Sequence, residues 1–103
     1  MKPAGLLFTS AANRDFSQIV GELEERAGAR VAGRWLREIR NRARQLLKTP
    51  LMGQTDEGLG GRRRLVVTPY LIVYDLTSAG EVQIVRILHG ARDMPALFYR
   101  DRE

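Results

Sequence analysis

Eight side chains could carry chemistry or grip a charged partner: Arg62, Arg63, Arg64, Arg86, His89, Arg92, Asp93 and Tyr99. Three consecutive guanidinium groups at 62–64 can each bind phosphate or carboxylate through two parallel hydrogen bonds, which suits RNA or an acidic peptide. If this run leads into a strand, Arg63 points opposite to Arg62 and Arg64. The same run also serves as a charged lead-in that blunts an exposed sheet edge. His89 is the only histidine. An imidazole is a candidate general acid or base, and equally a structural hydrogen-bonder at a strand end. Arg92 beside Asp93 reads either as an arginine steered by a carboxylate or as a pair locking the chain's exit from a sheet. Arg86 lies inside an apolar strand, so its charge needs a partner or an opening, and Asp75 is one possible partner.

Several chemistries are excluded. With no cysteine and one histidine, thiolate and His-rich metal sites are ruled out and no cofactor is expected. Gly58, Gly60 and Gly61 precede a strand rather than a helix, the wrong context for a phosphate-cradling loop. The formal charge of +5 and pI near 10.4, carried mostly by arginine, favour an anionic partner. The first residues, MKPAGLLFTS, hold only a short apolar run, far from a signal-peptide core. No stretch approaches the roughly 20 apolar residues that span a bilayer. These features lead us to expect a cytoplasmic protein with no membrane association.

The elements that must position these groups follow from hydrophobic periodicity. Leu6, Leu7 and Phe8 suggest a short edge strand. Ser10 stands where a helix N-cap is expected, and Ala12, Phe16, Ile19, Leu23 and Ala27 recur at helical spacing until Gly28 stops the helix. A second helix carries Ala32, Trp35, Leu36, Ile39, Ala43, Leu46 and Leu47 on one face and Arg30, Arg34, Arg37, Arg40, Arg44 and Lys48 on the other. Thr49-Pro50 ends it. The stripe of arginines is a possible nucleic-acid footprint, although solvated helix faces commonly look the same. The glycine-rich stretch 50–61 reads as a loop. Three strands then follow around Leu65–Val67, Tyr70–Leu76 and Val82–Leu88, turning at Thr68-Pro69 and Ser78-Ala79-Gly80. In the last of these, Val82, Ile84, Arg86 and Leu88 should share one face. Apolar residues on both faces make it a central strand. Pro95–Tyr99 suggests a final helical turn. The reading is one α+β domain over residues 1–99, β-α-α-β-β-β, with a helical hairpin packed on a small twisted antiparallel sheet and a solvated tail at 100–103.

The chain resembles the RelE/ParE superfamily of bacterial toxins, and within it the ParE branch. The resemblance rests on Ala12-x-x-Asp15-Phe16-x-x-Ile19, on Ile39 with Leu46, and on Pro50-x-x-Gly53. It continues through Arg63-Arg64-Leu65-Val66-Val67, Pro69-Tyr70-Leu71-Ile72-Val73-Tyr74 and Ile87-Leu88-His89-Gly90-Ala91-Arg92-Asp93. It implies the same helical hairpin on a sheet, a type II toxin–antitoxin role in plasmid stabilisation and growth inhibition, and a cognate antitoxin with an acidic tail.

The two branches imply different activities. RelE-like toxins cut mRNA on the ribosome with a cluster of basic residues and often a C-terminal tyrosine. ParE-like toxins inhibit DNA gyrase and are not established as enzymes. This chain has Asp56 and Glu57 where RelE-like chains often carry lysines, Gly90 follows His89, and Tyr99 lies ten residues beyond it. The expected role is gyrase inhibition, with Arg62, Arg63, Arg64, Arg86, His89, Arg92 and Asp93 meeting target or antitoxin. The alternative is RNA cleavage, for which Arg63, Arg86, His89 and Tyr99 are the candidates. A non-toxic binding module on the same fold is a third reading.

Overall fold

Thr9 sets the start of the first helix. Its backbone is extended, its hydroxyl oxygen accepts the Ala12 amide at 3.0 Å, and the hydroxyl donates to the Val85 carbonyl at 2.7 Å. One side chain thus caps the helix and ties it to a strand 76 residues away. The expected cap at Ser10 is off by one, because Ser10 is already helical and its neighbour holds the extended conformation a cap needs.

The computed structural model describes residues 5–93. The elements are β1 (Leu6–Phe8), α1 (Ser10–Ala27), α2 (Ala29–Lys48), β2 (Gln54–Asp56), a 3₁₀ turn (Glu57–Leu59), β3 (Arg62–Val67), β4 (Tyr70–Leu76) and β5 (Val82–His89). The five strands form one sheet in the order β1-β5-β4-β3-β2. β1 runs parallel to β5 and the other neighbours are antiparallel, so the sheet is mixed rather than purely antiparallel. β1 lies at the edge and β5 inside, as periodicity suggested. A helical turn starts at Gly90. The expected turn at Pro95–Tyr99 and the tail lie outside the described residues.

α1 and α2 share a single boundary residue, Gly28, whose φ of 90° is a conformation that glycine adopts without steric cost. The hairpin folds back so that Arg40 of α2 sits 5.7 Å from the Phe16 ring of α1. Its inner face buries Ala12, Phe16 and Ile19 with Ile39, Ala43 and Leu46 against Leu65, Val67, Tyr70, Ile72, Tyr74, Val82, Ile84 and Ile87 of the sheet. Each fully buried aliphatic side chain contributes roughly 1.5–3 kcal/mol.

The glycine-rich stretch after α2 is more ordered than its sequence suggests. It contains β2, which pairs Gln54 with Arg64 and Asp56 with Arg62. Pro50 and Gly53 clasp the fully buried Tyr74 phenol: its hydroxyl donates to the Pro50 carbonyl and accepts the Gly53 amide, both at 2.8 Å. A Cβ on Gly53 would lie 2.6 Å from the Arg64 carbonyl oxygen. Glycine is therefore dictated at position 53 by a close approach of two backbones.

β5 departs from simple alternation. Val73 of β4 faces Arg86 and the next residue, Tyr74, faces Ile84, so Val85 is the extra residue of a bulge. Val82, Ile84 and Ile87 consequently join the helix-side core, whereas Leu88 joins Leu71 and Val73 behind the sheet. The expected shared face of Val82, Ile84, Arg86 and Leu88 is corrected by this one-residue shift. Arg86 stands with Leu88, on the face away from the helices.

Candidate partner-binding surface

Among the described residues, no helix lies over the face of the sheet turned away from α1 and α2. Its apolar floor is Leu71, Val73 and Leu88, with Val85 beside them, and Leu59 of the 3₁₀ turn folds over one end. Val66 on the same face of β3 is 53% exposed. An open cleft of roughly 490 Å³ lies over this floor, rimmed by Arg62, Arg86 and Glu57. Alternation from Leu65 and Val67, which point into the core, places Arg62 and Arg64 on this outer face.

All three outer arginines are oriented by carboxylates. Arg62 Nε donates to Asp75 Oδ2 at 3.0 Å and its Nη1 reaches the Leu59 carbonyl at 3.3 Å. Arg64 lies 3.5 Å from Asp56 Oδ2. Arg86 donates from Nε and Nη2 to the two oxygens of Asp15, at 2.7 and 3.0 Å. Asp15 also accepts the Ile87 amide at 2.9 Å, on the edge of β5 that β1 leaves free beyond Ile84. Its hydrogen bond raises Arg86 above the ordinary arginine range, against the opposing effect of partial burial. Asp75, named from sequence as a possible partner of Arg86, belongs instead to Arg62.

Arg63 faces the other way, as alternation required. Its Nη1 donates to the carbonyls of Gly53 at 2.7 Å and Leu51 at 3.5 Å. It fastens the segment after α2 to β3.

The last candidates form a unit at the end of β5. The His89 Nδ1 accepts the Arg92 amide at 3.2 Å while Asp93 Oδ2 accepts the His89 amide at 2.8 Å. This reciprocal pair works as a capping box for the helical turn that begins at Gly90. The His89 ring stands edge-on to Tyr70, with centroids 5.7 Å apart, and Tyr70 stands edge-on to Trp35 at 5.3 Å. Arg92 bridges Asp93 Oδ1 at 3.0 Å and Glu22 Oε2 of α1 at 3.1 Å. The hydrogen bond from Arg92, helped by one from Gln18, holds Glu22 below the usual carboxylate range. Burial alone would raise Asp93, but the hydrogen bonds from Arg92 and the His89 amide outweigh it and keep it low. Hydrogen bonds to Asp93 and then to Glu22 raise Arg92. Burial, reinforced by the nearby Glu22 charge, pushes the Tyr70 phenol up.

The sequence-derived candidates therefore separate into three places. Arg62, Arg64 and Arg86 gather on the outer face; His89, Arg92 and Asp93 gather at the end of β5; Arg63 is on the opposite, helix-side face. Tyr99 lies outside the described residues. Of the four residues named for RNA cleavage, the three described ones do not share a face. Asp15, Glu22 and Leu59 were missed as site residues, because each acts through a contact distant in sequence. The one available signal was Asp15, a carboxylate inside a helix beside an otherwise apolar stripe. Among the described residues no group of three or more His, Asp or Glu side chains could hold a metal, and no helix is long and apolar enough to cross a membrane.

The sequence matches, over residues 6–94, the family described as the ParE toxin of type II toxin–antitoxin systems, parDE. The chain belongs to the ParE toxin family. The ParE fold is borne out independently by a solved chain of the chromosomal ParDE TA system from P. aeruginosa. That chain superposes with a TM-score of 0.73 at 21% identity, covering 84% of this chain and 95% of the other. None of the curated proteins matches the sequence. The α+β architecture expected from the resemblance is the one observed, with one strand more than anticipated.

Proposed function

We propose that this chain is the growth-arresting toxin of a type II pair, acting in the cytoplasm on DNA gyrase and silenced when a cognate antitoxin covers the outer face of its sheet. The family match across residues 6–94 carries this reading. The outer face supports the antitoxin part. An apolar floor flanked by pre-oriented guanidinium groups fits a segment that alternates apolar and acidic residues. Arg62 and Arg86 each keep donors beyond the two they spend on internal partners. Apolar burial supplies most of the affinity, and rim charge pairs add about 0.2–1 kcal/mol each.

Gyrase inhibition is favoured over RNA cleavage by the dispersal of Arg63, Arg86 and His89 over different parts of the sheet. The end unit of His89, Arg92 and Asp93 is then free to meet the target. The decisive test is induction in bacteria with and without the neighbouring antitoxin gene, followed by purified protein on gyrase and on translating ribosomes. Arrest relieved by the antitoxin, with loss of supercoiling and intact mRNA, is the expected result. Site-specific mRNA cuts with supercoiling untouched would replace gyrase by the ribosome, and unaffected growth would leave a binding module. Within this reading Arg92→Glu, checked by a melting curve, reduces toxicity more than antitoxin binding.

A further inference from the structure

The chain's positive charge has one address. α2 carries seven Arg and Lys residues and one carboxylate, Glu38, within Ala29–Lys48. Its net charge of +6 exceeds the +5 of the whole chain, so the remainder is slightly acidic. At 100° per residue, Arg30, Arg34, Arg37, Arg44 and Lys48 fall on an arc of about 80°, with Arg40 at its margin over Phe16. All are exposed, and among the described residues none makes an ion pair. This differs from the other arginine cluster, where every outer guanidinium is matched by a carboxylate.

Cationic stripes are common on solvated helix faces, but carboxylates usually lie among the cations, because like charges one turn apart repel. Here like charges follow one another along about 27 Å of helix. Arg30 also stands in the first turn, where the helix dipole disfavours a cation and no acidic residue offsets it. The dipole favours Lys48 in the last turn, so the strain lies in the repeated like charges and in Arg30, and a polyanion relieves both.

We infer that the outer face of α2 binds the phosphate backbone of double-stranded DNA without regard to sequence. The other polyanions fit less well. An acidic peptide needs apolar anchors, and the exposed large apolar side chains (Leu7, Leu51, Met52, Val66 and Leu76) all lie outside α2. Single strands are held by stacking on aromatic rings, and the arc has none; Trp35 is turned onto Tyr70. A straight helix fits the B-DNA major groove, roughly 12 Å wide, whereas the A-form groove of RNA is too deep and narrow to admit it.

The inference stands on α2 alone and is independent of the toxin's target. It is tested by fluorescence anisotropy of the full-length chain on an arbitrary DNA duplex of about 20 base pairs, over a series of salt concentrations. Five contacting cations give a log–log slope near −4.5, which is about a 500-fold loss of affinity from 50 to 200 mM salt. Replacing Arg34, Arg37 and Arg44 together by alanine, a better helix former than the arginine it replaces, flattens the slope by nearly 3 units. The corresponding triple lysine variant keeps it. An RNA duplex or a polyglutamate peptide bound as tightly as DNA overturns the assignment. So does a DNA slope that survives the triple alanine change, or no binding at low salt.

Discussion

The two faces of the sheet are built from the same strands and solve different problems. The helix-side face is closed: Ile72, Tyr74 and Ile84 have no measurable exposure, and the Tyr74 phenol has both hydrogen-bonding roles filled by Pro50 and Gly53. The outer face is thin. Among the described residues three buried side chains there, Leu71, Val73 and Leu88, lie under the 3₁₀ turn that carries Leu59, and the rim is arginine matched by carboxylate. One face holds the molecule together, and the other exposes apolar area and charge, which on the proposed reading meet the antitoxin. The difference teaches that a buried residue in this protein is not automatically a core residue; what covers it decides.

The sharpest way to break this contrast is at the clasp. Tyr74→Ala should cost about 3–5 kcal/mol, as for other large aromatic deletions. Tyr74→Phe keeps the packing but leaves the Gly53 amide and Pro50 carbonyl unpaired, for about 1–3 kcal/mol. Denaturant titration measures both, and a neutral Tyr74→Phe would mean the clasp is dispensable. A matched truncation on each face comes next. Ile72→Ala should cost about 3–4 kcal/mol, while Leu59→Ala falls near 2, because Leu59 sits in the thin turn at the rim of the outer face and is less completely packed. The order should reverse for antitoxin affinity, which Leu59→Ala weakens and Ile72→Ala affects only through stability. Equal stability losses would erase the distinction between the faces.

Asp15 joins them, since its carboxylate leaves the helix layer to hold an outer-face arginine. Asp15→Ala should destabilise by about 1–3 kcal/mol by unpairing Arg86 and the Ile87 amide together. Hydrogen exchange at Ile87 should accelerate before global unfolding. Arg62→Ala should change stability by only about 0.2–1 kcal/mol, its pair with Asp75 being solvent-exposed. Its effect belongs in antitoxin binding.

The smallest effect is the response to acid. Glu22 and Asp93 both sit below their ordinary values of 4.5 and 3.8. A depressed carboxyl contributes stability that is fully present above its unfolded value and is lost as pH falls through the folded one. The contribution of the end unit is therefore complete above about pH 5 and fades below pH 4. NMR titration should show the His89 and Arg92 amides shifting there, and Arg92→Ala should abolish most of that response.

Much of the architecture was legible because it is local. Apolar spacing at Ala12, Phe16 and Ile19 and at Ile39, Ala43 and Leu46 marked both helices, and Gly28 and Pro50 marked their ends. β2 was illegible: three polar residues in a glycine-rich stretch have no alternation, and they are strand only because Arg62–Arg64 pair with them. The bulge at Val85 hid the side on which Arg86 stands, since a single extra residue exchanges the faces beyond it. Alternation did place Arg63 opposite its neighbours. The residues of the surface were named from type, but their grouping was not. Asp15 reaches Arg86 across 71 positions, and Glu22 reaches Arg92 across 70. No window along the chain contains such a pair.

The row of rings Trp35, Tyr70 and His89 has an optical consequence. Trp35 is the only tryptophan in the chain, so its emission has a single origin. It touches Tyr70 edge-on, and Tyr70 touches the imidazole that caps the turn at Gly90. The indole thus lies two ring contacts from the end of β5. A partner that seizes the His89–Asp93 unit, or acid that loosens it, alters the packing of Tyr70 and with it the surroundings of the indole. The protein carries its own unlabelled reporter for that end of the sheet.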